Sequence, residues 1–181
     1  GPPEDGRRRA VMVWICGGAF VRGSSANRGD DGARMAAEGT VFVSVNYGVG
    51  ILGSYVHPEL ASESPAGVSG NYGLMDQIAA LQWVKDNIAH FGGDPDNVTI
   101  FGQSAGAFSV GFHLVMPQSR GLFHKGIAQS GAPMGRPSSS ILLGRQADMQ
   151  QEGIAFAKRM GASSIADMRR MDAMHLVTTY G

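Results

Sequence analysis

Short apolar runs rich in β-branched residues recur at 11–15 (VMVWI), 41–46 (VFVSVN), 98–101 (VTIF) and 126–128 (GIA), with loop or helical stretches between them. Continuous apolar runs suit strands covered on both faces, and strands spaced by helices suit a parallel sheet. The pattern predicts an α/β layer. Between the second and third runs, Leu74, Ile78, Leu81, Val84 or Lys85, and Ile88 recur at steps of three and four, which predicts a helix over 74–90. Asn71 is placed to cap it, and the Gly92-Gly93-Asp94-Pro95 turn to stop it. A second helix is expected from Ala105 to just before Pro117, and two more over 141–160 and 164–175, the last opened by the capping pair Ser164 and Asp167. Met160, Met168, Met171 and Met174, near helical spacing, read as a packing face without its partner.

Composition narrows the class. A chain of 181 residues that is 43% hydrophobic fills the core of one domain, or part of a larger one, and is not a disordered segment. Its 15 basic and 15 acidic residues cancel, so charge gives no reason to expect nucleic acid or an anionic membrane as partner, and a small molecule is expected instead. The longest apolar run, 10–21, is shorter than the roughly 18 residues of a membrane span. Cys16 is the only cysteine, which excludes an internal disulfide and reads most simply as a small buried residue. The chain opens GPPEDGRRR, without an initiator methionine or a secretory segment, and is expected to be a piece of a longer protein; compartment, secreted or cytoplasmic, and oligomeric state stay open.

The candidate chemistry begins at Gly102-Gln103-Ser104-Ala105-Gly106, a G-x-S-x-G pattern lying between a predicted strand and a predicted helix. A strand that turns sharply into a helix puts its serine in strained backbone angles and brings the flanking positions together, where only glycine avoids collision. The hydroxyl then stands at the carboxyl end of the sheet, with the Ala105 amide at the first turn of the helix facing a developing oxyanion. A second turn, WICGGAFVRG, also follows a strand, and Gly17 and Gly18 bare two amides able to converge on one oxygen. Its rival reading is a phosphate loop, but Ser24 stands where a Walker A pattern requires lysine. Of the five histidines, His113 in the second helix and His124 in the loop after it are expected to be structural, and His57, His90 and His175 have weaker claims to catalysis. No H-E-x-x-H and no Cys/His cluster occurs, so no metal site is expected. The sequon Asn97-Val98-Thr99 runs into a strand and reads as a chance match.

Taken together, VMVWICGGAF, SVNYGVGILG, SGNYGLMDQIAALQWVKDNIAHFGGDPDNVTIFGQSAG and LFHKGIAQSG resemble successive signatures of the type-B carboxylesterase family, the cholinesterase-like esterases and lipases. The resemblance covers nearly the whole chain. It implies an α/β-hydrolase fold of which residues 1–181 form one partial domain, truncated at both ends, its four strands resembling the third to sixth of the fold. It further implies hydrolysis of carboxylic esters without metal or organic cofactor, through an acyl-enzyme on Ser104, with the amides of Gly18, Ala19 and Ala105 as the oxyanion hole. The family's acid and histidine lie downstream, so they are expected outside this chain, and the chain alone is expected to be inactive. The alternative is a non-catalytic, neuroligin-like binding module, since that family also holds such domains. Ser130 resembles a serine that supports the catalytic acid, though a turn serine explains it equally, and Asp76 and Gln77 match a helix motif that an exposed or capping pair also explains. Cys16 stands where many members have histidine and Ala19 where many have glycine, and neither change removes an amide donor. Gln103 replaces the usual glutamate, which weakens any case for a cationic substrate. Gly48 replaces the usual arginine and Ser54 an aromatic, changes that bear on local stability.

Overall fold

The computed structural model describes residues 6–131 and 144–180, apart from the side chain of residue 28. Four strands, β1 (Arg9–Ile15), β2 (Val41–Val45), β3 (Gly93–Gln103) and β4 (Lys125–Gln129), pair in parallel in the order β2-β1-β3-β4. Every predicted run is thus a strand of one parallel sheet. The register sets Ile15 beside both Val45 and Gly102, and Gln103 beside Gln129, so the strands end along a common carboxyl rim.

The described residues fall into two compact units, one within 1–47 and 74–134, the other within 48–73 and 135–181. In the first, the sheet is accompanied by α1 (Ala33–Ala37), α4 (Tyr72–Asn87, in this unit from Leu74 onward) and α5 (Ala105–Val115). Val11, Val13 and Ile15 of β1 and Val98 and Ile100 of β3 pack with Leu81 and Val84 of α4, Ile88 beyond it and Val110 of α5. Both-face burial holds for the centre of β3 but not for β4, where every residue is exposed. Among the described residues β4 has a neighbour on one side only, and its Gly126 and Ala128 carry little side chain to bury. The expected helix over 74–90 is α4 followed by a 3-10 turn, Ile88–Phe91, ended by Gly92 in the left-handed region at φ 80°. Asn71 does not have the extended backbone of a side-chain cap; its φ is 57°. The buried face of α4 carries Gln77, Leu81 and Val84, whereas Leu74 and Ile78 are half-buried, so the stripe is rotated toward a polar residue.

The second unit is helical: α2 (Ile51–Ser54), α3 (Pro58–Glu63), α6 (Gln146–Arg159), α7 (Ile165–Met168) and α8 (Ala173–Tyr180). Ile51, Tyr55, Phe156, Ala157, Ile165 and Met168 form its core, and Met160 and Met171 pack against them. Three of the four tail methionines therefore have their partner, and only Met174 is exposed, contrary to the unpartnered face expected. Tyr55 ties the unit across the chain, donating its hydroxyl to the Gly153 carbonyl at 2.8 Å. The single helix expected over 164–175 is two. Asp172 interrupts it, because its carboxylate accepts from the His175 amide at 2.9 Å and so starts α8 afresh. Ser164 caps α7 as expected, accepting from the Asp167 amide at 3.1 Å, while the Asp167 carboxylate takes Ser163 instead. The predicted start of α6 at 141 lies outside the described residues. No described helix is long and apolar enough to cross a membrane.

One polar cluster lies inside the first unit. His113 bonds Ser119 Oγ at 2.7 Å through Nδ1 and Gln77 Oε1 at 2.9 Å through Nε2, Gln77 Nε2 donates to Ser109 Oγ at 3.2 Å, and all four side chains are at most 2% exposed. Gln77 is thus no exposed or capping residue, and His113 is structural, as expected. Burial pushes the His113 imidazole from 6.5 down to about 4, so the folded protein keeps it neutral where the unfolded chain takes up a proton. Its stabilising share is complete above pH 6.5 and is lost as pH falls through 6.5 toward 4, about 3 kcal/mol in all. In urea melts at pH 7 and pH 4.5, the stability advantage of wild type over His113→Gln is expected to shrink by about 2 kcal/mol; an advantage independent of pH contradicts the assignment.

Candidate active site

Ser104 sits between the last residue of β3 and the first of α5, with φ 55° and ψ −120°. A non-glycine residue reaches that region only when its surroundings over-determine it. Here three contacts do so. The Ser104 amide donates to the Gln129 carbonyl at the end of β4 at 2.9 Å, and the Ser104 carbonyl accepts from Phe108 at 3.0 Å inside α5. Gly131 comes so close that a Cβ on it would lie 2.7 Å from the Ser104 carbonyl.

The flanking glycines have a specific reason. A Cβ on Gly102 would lie 2.5 Å from the backbone carbon of Gly106 and 2.7 Å from the Ile15 carbonyl oxygen, and one on Gly106 would lie 2.0 Å from that same oxygen. The expected collision between the two positions is present, and the end of β1 is its third party. Having brought β1 this close, the chain continues directly into the glycine turn. A Cβ on Gly17 would stand 2.6 Å from the Gln103 carbonyl and 3.4 Å from Ser104 Cβ, so this turn passes against the serine itself.

Beyond Gly17, the backbone holds positive φ at three successive residues, Gly18 (116°), Ala19 (57°) and Phe20 (61°). The Gly18 carbonyl accepts from the amides of both Val21 and Arg22 at 3.1 Å, closing the bend. The left-handed region costs alanine and phenylalanine roughly 1 kcal/mol or more each, so the turn stores strain beside the serine. Ala105, the first residue of α5, has an amide without an intrahelical acceptor, at the positive end of the helix dipole. The predicted residues Gly18, Ala19 and Ala105 thus lie on the two backbone segments that meet at Ser104.

Around the turn opens a depression of about 500 Å³ whose lining includes Trp14, Cys16, Gly18, Arg22, Asp30 and Gln103. Cys16 is buried, burial pushes its thiol up, and its carbonyl accepts from the Tyr47 hydroxyl at 2.7 Å. The structural reading of this cysteine therefore fits. His124 lies at the base of the sheet, its Nδ1 accepting from the Val98 amide at 3.2 Å, and His57 caps α3 by accepting from the Glu59 amide at 3.3 Å. Asn97, the sequon residue, accepts from Lys125 at 2.7 Å. Ser130 has φ 55°, a turn serine held in the left-handed region.

Sequence reasoning missed the Ile15 carbonyl and the polar cluster beneath α5. The first left no signal, because a backbone atom has no side-chain pattern. The second did leave one: Gln77 interrupts the apolar stripe of α4, and Ser109 and His113 stand four apart on one face of α5. The glycine packing generates a direct prediction. Gly106→Ala forces a methyl into the Ile15 carbonyl and is expected to cost about 3 kcal/mol, whereas Gly29→Ala, with open space around its Cβ, should stay within about 0.5 kcal/mol of wild type. Urea unfolding of the two variants reads the difference, and equal stabilities contradict the packing.

The chain is similar to known proteins over most of its length. Residues 2–179 match the model of the carboxylesterase family. The chain is 45% identical over 166 residues to a fumonisin B1 esterase of Sphingopyxis macrogoltabida, covering 92% of this chain and 29% of that protein. It is 53% identical over 126 residues to an acetylcholinesterase of Gallus gallus, covering 69% of this chain and 16% of that protein. A solved PNB esterase structure superposes with a TM-score of 0.82 at 38% identity, covering 99% of this chain and 35% of that one. The chain thus spans about a third or less of the length of these relatives. With a family model matched over nearly all of its residues and a solved structure sharing its fold at 38% identity, the chain belongs to the carboxylesterase family.

Proposed function

We propose that the whole protein carrying this chain hydrolyses carboxylic esters through an acyl-enzyme on Ser104. The observation that carries the reading is the Ser104 backbone at φ 55°, locked between β3 and α5 with Gly17 packed on its side chain. The serine oxygen attacks the ester carbonyl, the alcohol leaves with a proton, and water then releases the acid and restores the serine. Negative charge that develops on the carbonyl oxygen is met by the amides of Gly18, Ala19 and Ala105, donors worth roughly 10²–10³ in rate each. The hole is built from backbone, so Cys16 and Ala19, which replace the residues common in the family, leave its donors in place.

A general base is still required, and His113 and His124 are engaged elsewhere. His113 is buried between Ser119 and Gln77, and His124 holds the Val98 amide. The family resemblance, in which the histidine and its orienting acid lie downstream of the serine, leads us to expect both outside residues 1–181. The relatives' names speak of a fumonisin, a choline ester and a nitrobenzyl ester, and the substrate class proposed for this chain is the carboxylic ester as such.

Treating the whole protein with a fluorophosphonate is expected to label Ser104, and Ser104→Ala to abolish both labelling and turnover of 4-nitrophenyl acetate. Absence of labelling in folded protein overturns the reading and favours a binding module. Residues 1–181 alone, lacking the base, are expected to turn esters over at a rate far below that of whole enzymes. A rate typical of whole enzymes from residues 1–181, lost on Ser104→Ala, would place the base within this chain.

A further inference from the structure

We infer that Ser119, His113, Gln77 and Ser109 form a one-directional hydrogen-bond chain that ends on the carbonyl of Ala105 and positions the first turn of α5 beside Ser104. The inference rests on the ester-hydrolysis reading above, because Ala105 matters there as an oxyanion donor. Ser109 Oγ donates to the Ala105 carbonyl at 3.1 Å, one turn back along α5. Its proton is committed there, so toward Gln77 it is an acceptor, and Gln77 Nε2 donates to it at 3.2 Å. That orients the Gln77 amide, whose Oε1 faces His113 Nε2 at 2.9 Å and must accept from it. The imidazole is therefore protonated on Nε2, leaving Nδ1 to accept the Ser119 hydroxyl proton at 2.7 Å.

Every donor in this chain points the same way, from the turn after α5, through α4, back to the start of α5. Such a sequence polarises each bond in turn. Burial removes the competing water, and the neutral imidazole is the form the chain needs, since a proton on Nδ1 would leave Ser119 without its acceptor. A merely space-filling cluster has no need of a common direction or of an end on the residue next to the serine. The peptide unit that carries the Ala105 carbonyl joins Ala105 to Gly106, and its tilt sets the pitch of the helix turn from which the Ala105 amide points. These four side chains touch no substrate; they are positioning residues.

The test uses the whole protein, 4-nitrophenyl acetate as substrate and a fluorophosphonate as probe of Ser104. Ser109→Ala is expected to lower kcat about tenfold and to slow labelling in parallel, with KM changed less than twofold. Ser109→Thr, which keeps the hydroxyl, is expected to recover most of the loss. Adding Ser119→Ala to Ser109→Ala should lower kcat no further, because the last link is already cut. Folded Ser109→Ala protein with wild-type kcat, or multiplicative losses in the double variant, overturns the inference. Should Ser109→Ala fail to fold, Ser119→Ala carries the test: a loss of about threefold in kcat at constant KM is expected, and none overturns it. Ser104→Ala separates the two readings. Turnover that survives Ser104→Ala removes the ester-hydrolysis reading itself, whereas turnover abolished by Ser104→Ala but untouched by Ser109→Ala removes only the positioning role.

Discussion

The backbone carbonyl of Ile15 is the constraint on which the site depends. It projects from the end of β1 into the space where Gly102 and Gly106 lack side chains, and neither glycine has room for a methyl group. This contact brings three segments together at once: the end of β3, the start of α5 and the end of β1. Because Gly17 follows Ile15 by only two residues, seating β1 against the elbow delivers the glycine turn to the flank of Ser104 without further machinery. Local sequence, sheet register and close backbone approach thus converge on one geometry.

That geometry stores strain, and the fold holds it in place from several sides. Ala19, Phe20, Ser104 and Ser130 all have positive φ without being glycine, and all lie beside the carboxyl rim of the sheet. Residues in such conformations cost on the order of 1–3 kcal/mol each and persist where neighbouring structure fixes them. For Ser104 the fixing groups are the Gln129 carbonyl and the backbone at Gly131, both supplied by β4 and the turn after it. β4 is exposed on its faces, yet it holds the serine through its last carbonyl. Its role in the site is carried by the backbone and leaves its side chains largely free.

Much of this was legible in the residue order, and the exceptions have physical reasons. The four strands and α5 followed from apolar runs and from Pro117, although the both-face burial such runs imply is realised at the centre of β3 and not in β4. The G-x-S-x-G pattern and the Gly17-Gly18 pair marked the two segments of the candidate site, because glycine is demanded where backbones touch. Three features escaped. The packing of Gly106 on Ile15 is a backbone contact between residues far apart in sequence. The break at Asp172 turned on a carboxylate choosing the His175 amide over the continuing helix. The rotation of α4 that buries Gln77 reflects a polar network satisfied only by His113 and Ser109, residues that periodicity alone counts against a core position.

The most direct test of this geometry is a crystal structure of the whole protein with its active serine phosphonylated. The account predicts the adduct on Ser104, with φ still positive there and the phosphonyl oxygen about 3 Å from the amides of Gly18, Ala19 and Ala105. An adduct on another residue, or a phosphonyl oxygen turned away from the Gly17-Gly18 turn, contradicts it.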